Sequence, residues 1–321
     1  MHARLPLSDS VRSTTRPLVP VLLVLIAVPL VSGCGTDAET PTEEVRYTVT
    51  IPPLALIVDP VVDGRASVTT LLEPGDSPHT YEPRPSDLRA VQNSEALLFG
   101  ASVLDGWTSD LPADRRWAML DMVPAPHVRS LHGGHNHGGT ASASADAPSS
   151  ATPDPHFWMD PLAVEALLPV LVDSLCAADA GGCSVYRANA DTFATRLQRL
   201  DEQLRTRLQP VRHTPVLLSQ PFFHYFAGRY GPHVVAVVER SPGQEPSARR
   251  IERMVDRART ARVQAIYSQQ QLPARASEAV AEAAALPMHT LDPLGGVSGR
   301  DTYDALLLHN ADVIWSTLQE E

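Results

Sequence analysis

The chain has 321 residues, more than one typical domain needs and enough for about two. Hydrophobic residues make up 43% of it, which supports packed cores and excludes a disordered polypeptide. The 37 acidic against 26 basic residues leave a net charge of −11, which argues against a nucleic-acid partner and suits a protein that handles cations.

Arg4, Arg12 and Arg16 precede the apolar run "LVPVLLVLIAVPL", which stops at "VSGC". A basic start, a short apolar stretch and small residues before a cut describe an export signal over residues 1–33. The run is short for a membrane span. Its ending, LVSGC, resembles the lipobox of bacterial lipoproteins, which implies that Cys34 becomes the lipidated first residue of an extracytoplasmic chain anchored to the cell membrane. A plain cleaved signal with an incidental cysteine is the alternative. Without residues 1–33 the balance is 23 basic against 36 acidic, or −13. Cys176 and Cys183 are close in sequence, and in an oxidising exterior such a pair is expected to close a small loop as a disulfide. They could instead ligate zinc, but no second cysteine pair accompanies them.

Residues 34–45, "CGTDAETPTEEV", are polar and Pro/Thr-rich and read as a flexible tether. Residues 46–183 read as an N-terminal α/β lobe. There "YTVTI", "ASVTTLL" and "ALLF" have the character of strands, and "PSDLRAVQN" that of a helix with Pro85 in its first turn. Within this lobe residues 127–152 are Gly/Ala/Ser/Pro-rich and predict a disordered surface loop carrying His132, His135 and His137. Over 184–210, Phe193, Leu197, Leu200, Leu204 and Leu208 recur every three or four positions, which predicts a long linker helix ended by Pro210. Residues 211–321 form a C-terminal lobe of strands "PVLL", "HVVAVV", "QAIY" and "MHTL" alternating with helices, the first of them "PFFHYFAGRYG" closed by Gly231. Alternation of this kind implies mainly parallel sheets. The expected fold is two α/β lobes joined by a rigid helix, with a cleft between them.

Ligands of open parallel sheets bind beyond the carboxyl ends of the strands. Four positions meet that condition: His79 after "ASVTTLL", His156 in "DPHFWMDP", Asp292 after "MHTL", and a position after "PVLL" in "SQPFFHYF". Imidazole nitrogen and carboxylate oxygen suit zinc, and also manganese or iron at higher coordination. Prolines beside His79 and His156 stiffen their loops, which favours a preorganised site. Taken singly, each histidine also fits a surface hydrogen-bonding role and Asp292 a turn cap. No short zinc motif such as H-E-x-x-H is present.

The segments "LLEPGDSPHTYEPRPSDL", "SEALLFGASVLDGW", "DPHFWMDP", "SPGQEPSA" and "LDPLGG" succeed one another as in the zinc/manganese-type solute-binding lipoproteins of ABC importers, the cluster A-I family. The chain resembles that family over nearly its whole mature length, and most of all its zinc-uptake branch. The resemblance implies a monomeric, non-enzymatic protein that carries Zn2+, or alternatively Mn2+ or Fe2+, between two lobes. It would pass the ion to a permease driven by a separate ATPase, and would meet the membrane only through its lipid. It puts His79 and His156 on the family's metal histidines and Asp292 on its carboxylate ligand. The third ligand of the family usually opens a pattern H-x-A-F-x-Y-F. Matching Phe223, Tyr225 and Phe226 to it places Gln220 at the ligand position, and an amide oxygen is a poorer zinc ligand than imidazole. His224, one helical turn along, is expected to lean back and supply the missing nitrogen. The alternative keeps Gln220 or water there and packs His224 among Phe222, Phe223 and Phe226. Gln269 in "IYSQQQ" stands where many relatives carry glutamate.

The loop histidines His132, His135 and His137 read as weak gathering sites or as an inert solvated segment, because ordering them opposes binding. Metal affinity is expected to fall below a pH of roughly 6.5, as protons compete for imidazole nitrogen. Two rival readings accompany this one. A zinc-dependent hydrolase would use the coordination position left open at Gln220, and a metal-buffering or adhesin lipoprotein would have no transport role.

Overall fold

In the computed structural model residues 44–131, 152–239 and 246–319 are described. The signal segment, Cys34, nearly all of the tether and His132, His135 and His137 lie outside the described residues. The first half of the body runs β1 (Val45–Val49), α1 (Pro52–Val62), β2 (Ala66–Thr70), α2 (Pro85–Gln92), β3 (Ala96–Phe99), the single turn α3 (Ser102–Asp105) and β4 (Arg116–Ala118). Its strands pair in parallel in the order β2-β1-β3-β4. Prolines open both main helices, Pro52 and Pro53 in α1 and Pro85 in α2, where a missing N–H and a fixed φ fit the first turn. The Asp87 carboxylate closes the start of α2, accepting the Arg84 N–H and the Tyr81 hydroxyl, each at 2.7 Å.

Two long helices come next, α4 (Pro161–Ala178) and α5 (Cys183–Leu208). The Cys176–Cys183 disulfide joins the end of one to the start of the other. The turn between them is pinned by Asp179, which takes two Arg65 hydrogen bonds at 2.6 Å and one from the Tyr186 hydroxyl at 2.7 Å. Arg65, more than burial opposes it, holds the Asp179 carboxyl at about 2. The apolar stripe of α5 is buried throughout, as its spacing predicts. The helix stops at Leu208 and passes into a 3-10 turn over Gln209–Val211.

The second half repeats the winding of the first. It runs β5 (Pro215–Leu218), α6 (His224–Tyr230), β6 (His233–Val237), α7 (Ala248–Thr260), β7 (Ala265–Gln269), α8 (Arg275–Ala284), β8 (Met288–Leu291) and α9 (Tyr303–Leu318). The strands are again parallel, in the order β6-β5-β7-β8. The helix α5 packs on α1 in one half and on α9 in the other. One apolar core therefore extends from Tyr47 and Val49 through Leu197 and Leu204 to Leu291 and Leu306. Asp201 of α5 adds a polar clamp, accepting hydrogen bonds from Arg205, Arg229 and Tyr230 at 2.6, 2.6 and 2.8 Å.

Three expectations change. Residues 127–131 and Thr152 are ordered: His127 ends a 3-10 turn, Ser130 bridges Pro153, and the Leu131 N–H donates to the Thr152 carbonyl at 3.0 Å. The expected loop is too wide because the glycine-rich composition starts only at Gly133. Helix α6 begins at His224 rather than at Pro221, since a tight turn from the Gln220 carbonyl to the Phe222 N–H intervenes. His224 thus occupies the first helical position. Finally, α1, α3, α4 and β4 have no counterpart among the expected elements.

Candidate metal centre

His79 stands in the long connection after β2. Its neighbours are fixed on both sides. The Pro78 carbonyl accepts the Trp107 indole N–H at 3.0 Å, and Tyr81, whose ring lies 4.9 Å from that of Trp107, is anchored on Asp87. The imidazoles of His79 and His156 face one another with centroids 6.4 Å apart. Burial first, and the nearby His156 second, push the His79 pKa down to about 4. His79 is therefore an uncharged nitrogen donor well below the ordinary histidine range, and proton competition there sets in lower than the roughly 6.5 of a free imidazole.

His156 is only 7% exposed. Its ring and its backbone N–H both meet Oδ1 of Asp154, Nδ1 at 2.7 Å and N at 3.0 Å. An ionised carboxylate can only accept, so Nδ1 is the donor, and in the uncharged ring Nε2 keeps its lone pair. Burial pushes the Asp154 carboxyl up, but the charge and hydrogen bonds of His156 and the hydrogen bond of His224 outweigh it and hold it at about 2. Two residues on, the Trp158 indole N–H donates to the Pro293 carbonyl at 2.8 Å, and the Tyr303 hydroxyl donates to the Trp158 carbonyl at 2.7 Å. The first of these bonds ties the His156 segment to the loop that carries Asp292, and the second ties it to the start of α9.

Asp292 succeeds β8 and is 3% exposed. Its Oδ1 accepts the Leu294 and Gly295 N–H groups, each at 3.0 Å, and its Oδ2 faces the Arg300 guanidinium at 3.2 Å. Gln220, at the end of β5, is 2% exposed. Its carbonyl oxygen accepts from the Ser219 hydroxyl at 2.6 Å, while its amide donates to Glu239 at 3.2 Å and to the Pro273 carbonyl at 3.3 Å. His224 lies with Nδ1 3.5 Å from Oδ2 of Asp154, and its ring joins His213 and His233 in the wall of a cavity of about 150 Å³.

The structure thus brings His79 and His156 together and sets His224 behind His156, across Asp154. Asp292 and Gln220 are held by partners of their own. Among the described residues no three histidine, cysteine or carboxylate side chains stand close enough to share one ion. Three residues of this region escape a reading of the sequence. Asp154 lies two residues before a candidate histidine and Glu239 just past a strand, signals that could have found them; Arg300 carries no motif signal at all.

The family model of the zinc-uptake complex component A, periplasmic, matches residues 48–316. The chain belongs to this family. Among curated relatives it is similar to the manganese-binding lipoprotein MntA of Halalkalibacterium halodurans, 23% identical over 314 residues that cover 93% of this chain and 97% of that one. The high-affinity zinc uptake system protein ZnuA of Bacillus subtilis is 21% identical, over 90% of this chain and 94% of its own. In fold it is similar to the periplasmic zinc-binding protein TroA from Treponema pallidum, with a TM-score of 0.72 and 22% identity over 86% of this chain and 99% of that one. These neighbours have the two-lobe α/β form expected from the sequence, and the comparisons lend no support to the hydrolase or buffering readings.

Proposed function

We propose that the chain captures a divalent metal ion, zinc foremost and manganese second, outside the cytoplasm and delivers it to an ABC-type permease with its ATPase. It acts as a monomeric binding protein with no chemical step. Cys34 carries the lipid anchor and residues 34–45 the tether. The lobes span 46–183 and 211–321, with 184–210 as the linker between them. The ion's donors are Nε2 of His156, the His79 imidazole, the Asp292 carboxylate and one group from the start of α6. For that last position the two candidates are His224, which would turn from Asp154, and Gln220 of the preceding turn after β5, whose oxygen would have to leave the Ser219 hydroxyl.

One observation carries this reading. Two imidazoles face each other in a largely buried setting, one with its outer nitrogen left free by a carboxylate, and the neighbouring segment is hydrogen-bonded to the Asp292 loop. Neutral imidazole nitrogens with one carboxylate favour zinc over calcium or magnesium. Calorimetric titration of the metal-free protein with zinc and with manganese, beside His224→Ala and Gln220→Ala, tests it. One tight equivalent of zinc is expected, weakened in one of the two variants. No tight equivalent in the wild type would defeat the proposal.

A further inference from the structure

Asp292 does not present an idle carboxylate. Its Oδ1 is consumed by the Leu294 and Gly295 N–H groups, so Oδ2 is the atom with capacity to spare, and that atom faces the Arg300 guanidinium. The position of Arg300 is set by the backbone. The Gly296 N–H donates to the Arg300 carbonyl at 3.0 Å and the Arg300 N–H to the Val297 carbonyl at 2.8 Å, which folds residue 300 back onto the turn after Asp292. Gly295, Gly296 and Gly299 take the positive φ values, 62°, 75° and 79°, that this return requires. His309 of α9 supplies a second neighbour, with its Nε2 3.2 Å from Nη1 of Arg300. The guanidinium is therefore held through Nε by Asp292 and through Nη1 by His309, and the second contact can remain when the first is given up.

We propose that Arg300 is a resident cation on the Asp292 carboxylate, which an incoming divalent ion must replace, so that Arg300 sets the affinity of the site by competition. The proposal rests on Asp292 being a metal donor. A buried carboxylate without a partner is unstable, and Arg300 meets that need in the metal-free protein. A divalent ion bound to the same oxygen would repel the guanidinium, so each weakens the hold of the other. Releasing Arg300 toward His309 is then part of the binding equilibrium and lowers the apparent affinity, as any competing state does.

Zinc titration of the full metal-free protein, with Arg300→Gln and Asp292→Asn beside the wild type, tests the exchange. Arg300→Gln is expected to bind zinc about tenfold more tightly while its metal-free form melts at a lower temperature. Unchanged or weaker zinc binding in Arg300→Gln, together with weakened binding in Asp292→Asn, would overturn the exchange and leave the donor assignment standing. Normal zinc binding in Asp292→Asn would remove the donor assignment, and the exchange with it. Should Arg300→Gln fail to fold, the Arg300 Nε–H resonance of the wild type gives the answer. Its protection from water is expected to be lost at one equivalent of zinc, and a resonance that stays protected would overturn the proposal.

Discussion

On the first sheet's side of the centre, His156 is held through Nδ1 and its backbone N–H, so the grip leaves the outward nitrogen free. On the second sheet's side, Asp292 and Gln220 are held through the atoms an ion would use in the proposed site, Oδ2 by Arg300 in one case and the amide oxygen by Ser219 in the other, while Glu239 accepts from the Gln220 amide nitrogen. The contrast separates two jobs. In the proposed site, donors of the first kind would be ready before the ion arrives, and little ordering would oppose binding there. Donors of the second kind are stabilised in its absence and would have to be released, which would make that half of the proposed site the adjustable one.

The comparison is most sharply broken by removing a ready donor. His156→Ala is expected to weaken zinc binding by more than about a hundredfold, beyond the usual range for an outer-shell partner, as read by calorimetry against a competing chelator. Asp154→Ala should weaken it by about ten- to a hundredfold with the fold intact by circular dichroism, because the ring of His156 then loses the group that fixes its proton and orientation. The buried setting of His79 predicts a pH effect in the metal-free protein. Its pKa is about 4 folded and about 6.5 unfolded, so the unfolded chain binds the extra proton between those values. Stability is complete above about pH 6.5 and declines as pH falls toward 4, by up to about 3 kcal/mol from this group. Urea midpoints at pH 7.5 and 4.5 should therefore drop further in the wild type than in His79→Gln. The smallest effect is expected from replacing residues 132–151 by a short Gly/Ser turn. The tight zinc equivalent should persist unchanged in calorimetry, with only weaker uptake removed.

Much of this architecture is readable from local pattern. The stripe from Phe193 to Leu208, the β-branched strands and Pro85 at the start of α2 are all short-range signals, and they mark elements that the structure contains. Helix α4 is hard to see because Leu167, Leu168, Leu171 and Val172 lie in a sequence that is apolar on nearly every side, with Pro169 inside it, so no amphipathic stripe stands out. The three residues of β4 are too few to show alternation. At the proposed site, His79, His156 and Asp292 stand out in the sequence because each comes after a strand or sits in a proline-stiffened segment. The groups that engage them are not. The pairing of Gln220 with Glu239 depends on two adjacent strands, and that of Asp292 with Arg300 on a glycine turn doubling back. The place of His224 shifts because the helix starts three residues later than the apolar pattern suggests.

The antiparallel bridge from Ser130 to Pro153, with its Leu131–Thr152 hydrogen bond, forms a stem just ahead of Asp154. A stem of this kind insulates the chain on its far side from the excursion it closes. The entropy of closing an excursion grows only with the logarithm of its length. Changing the length of the intervening stretch is therefore expected to leave the geometry at His156 where it is.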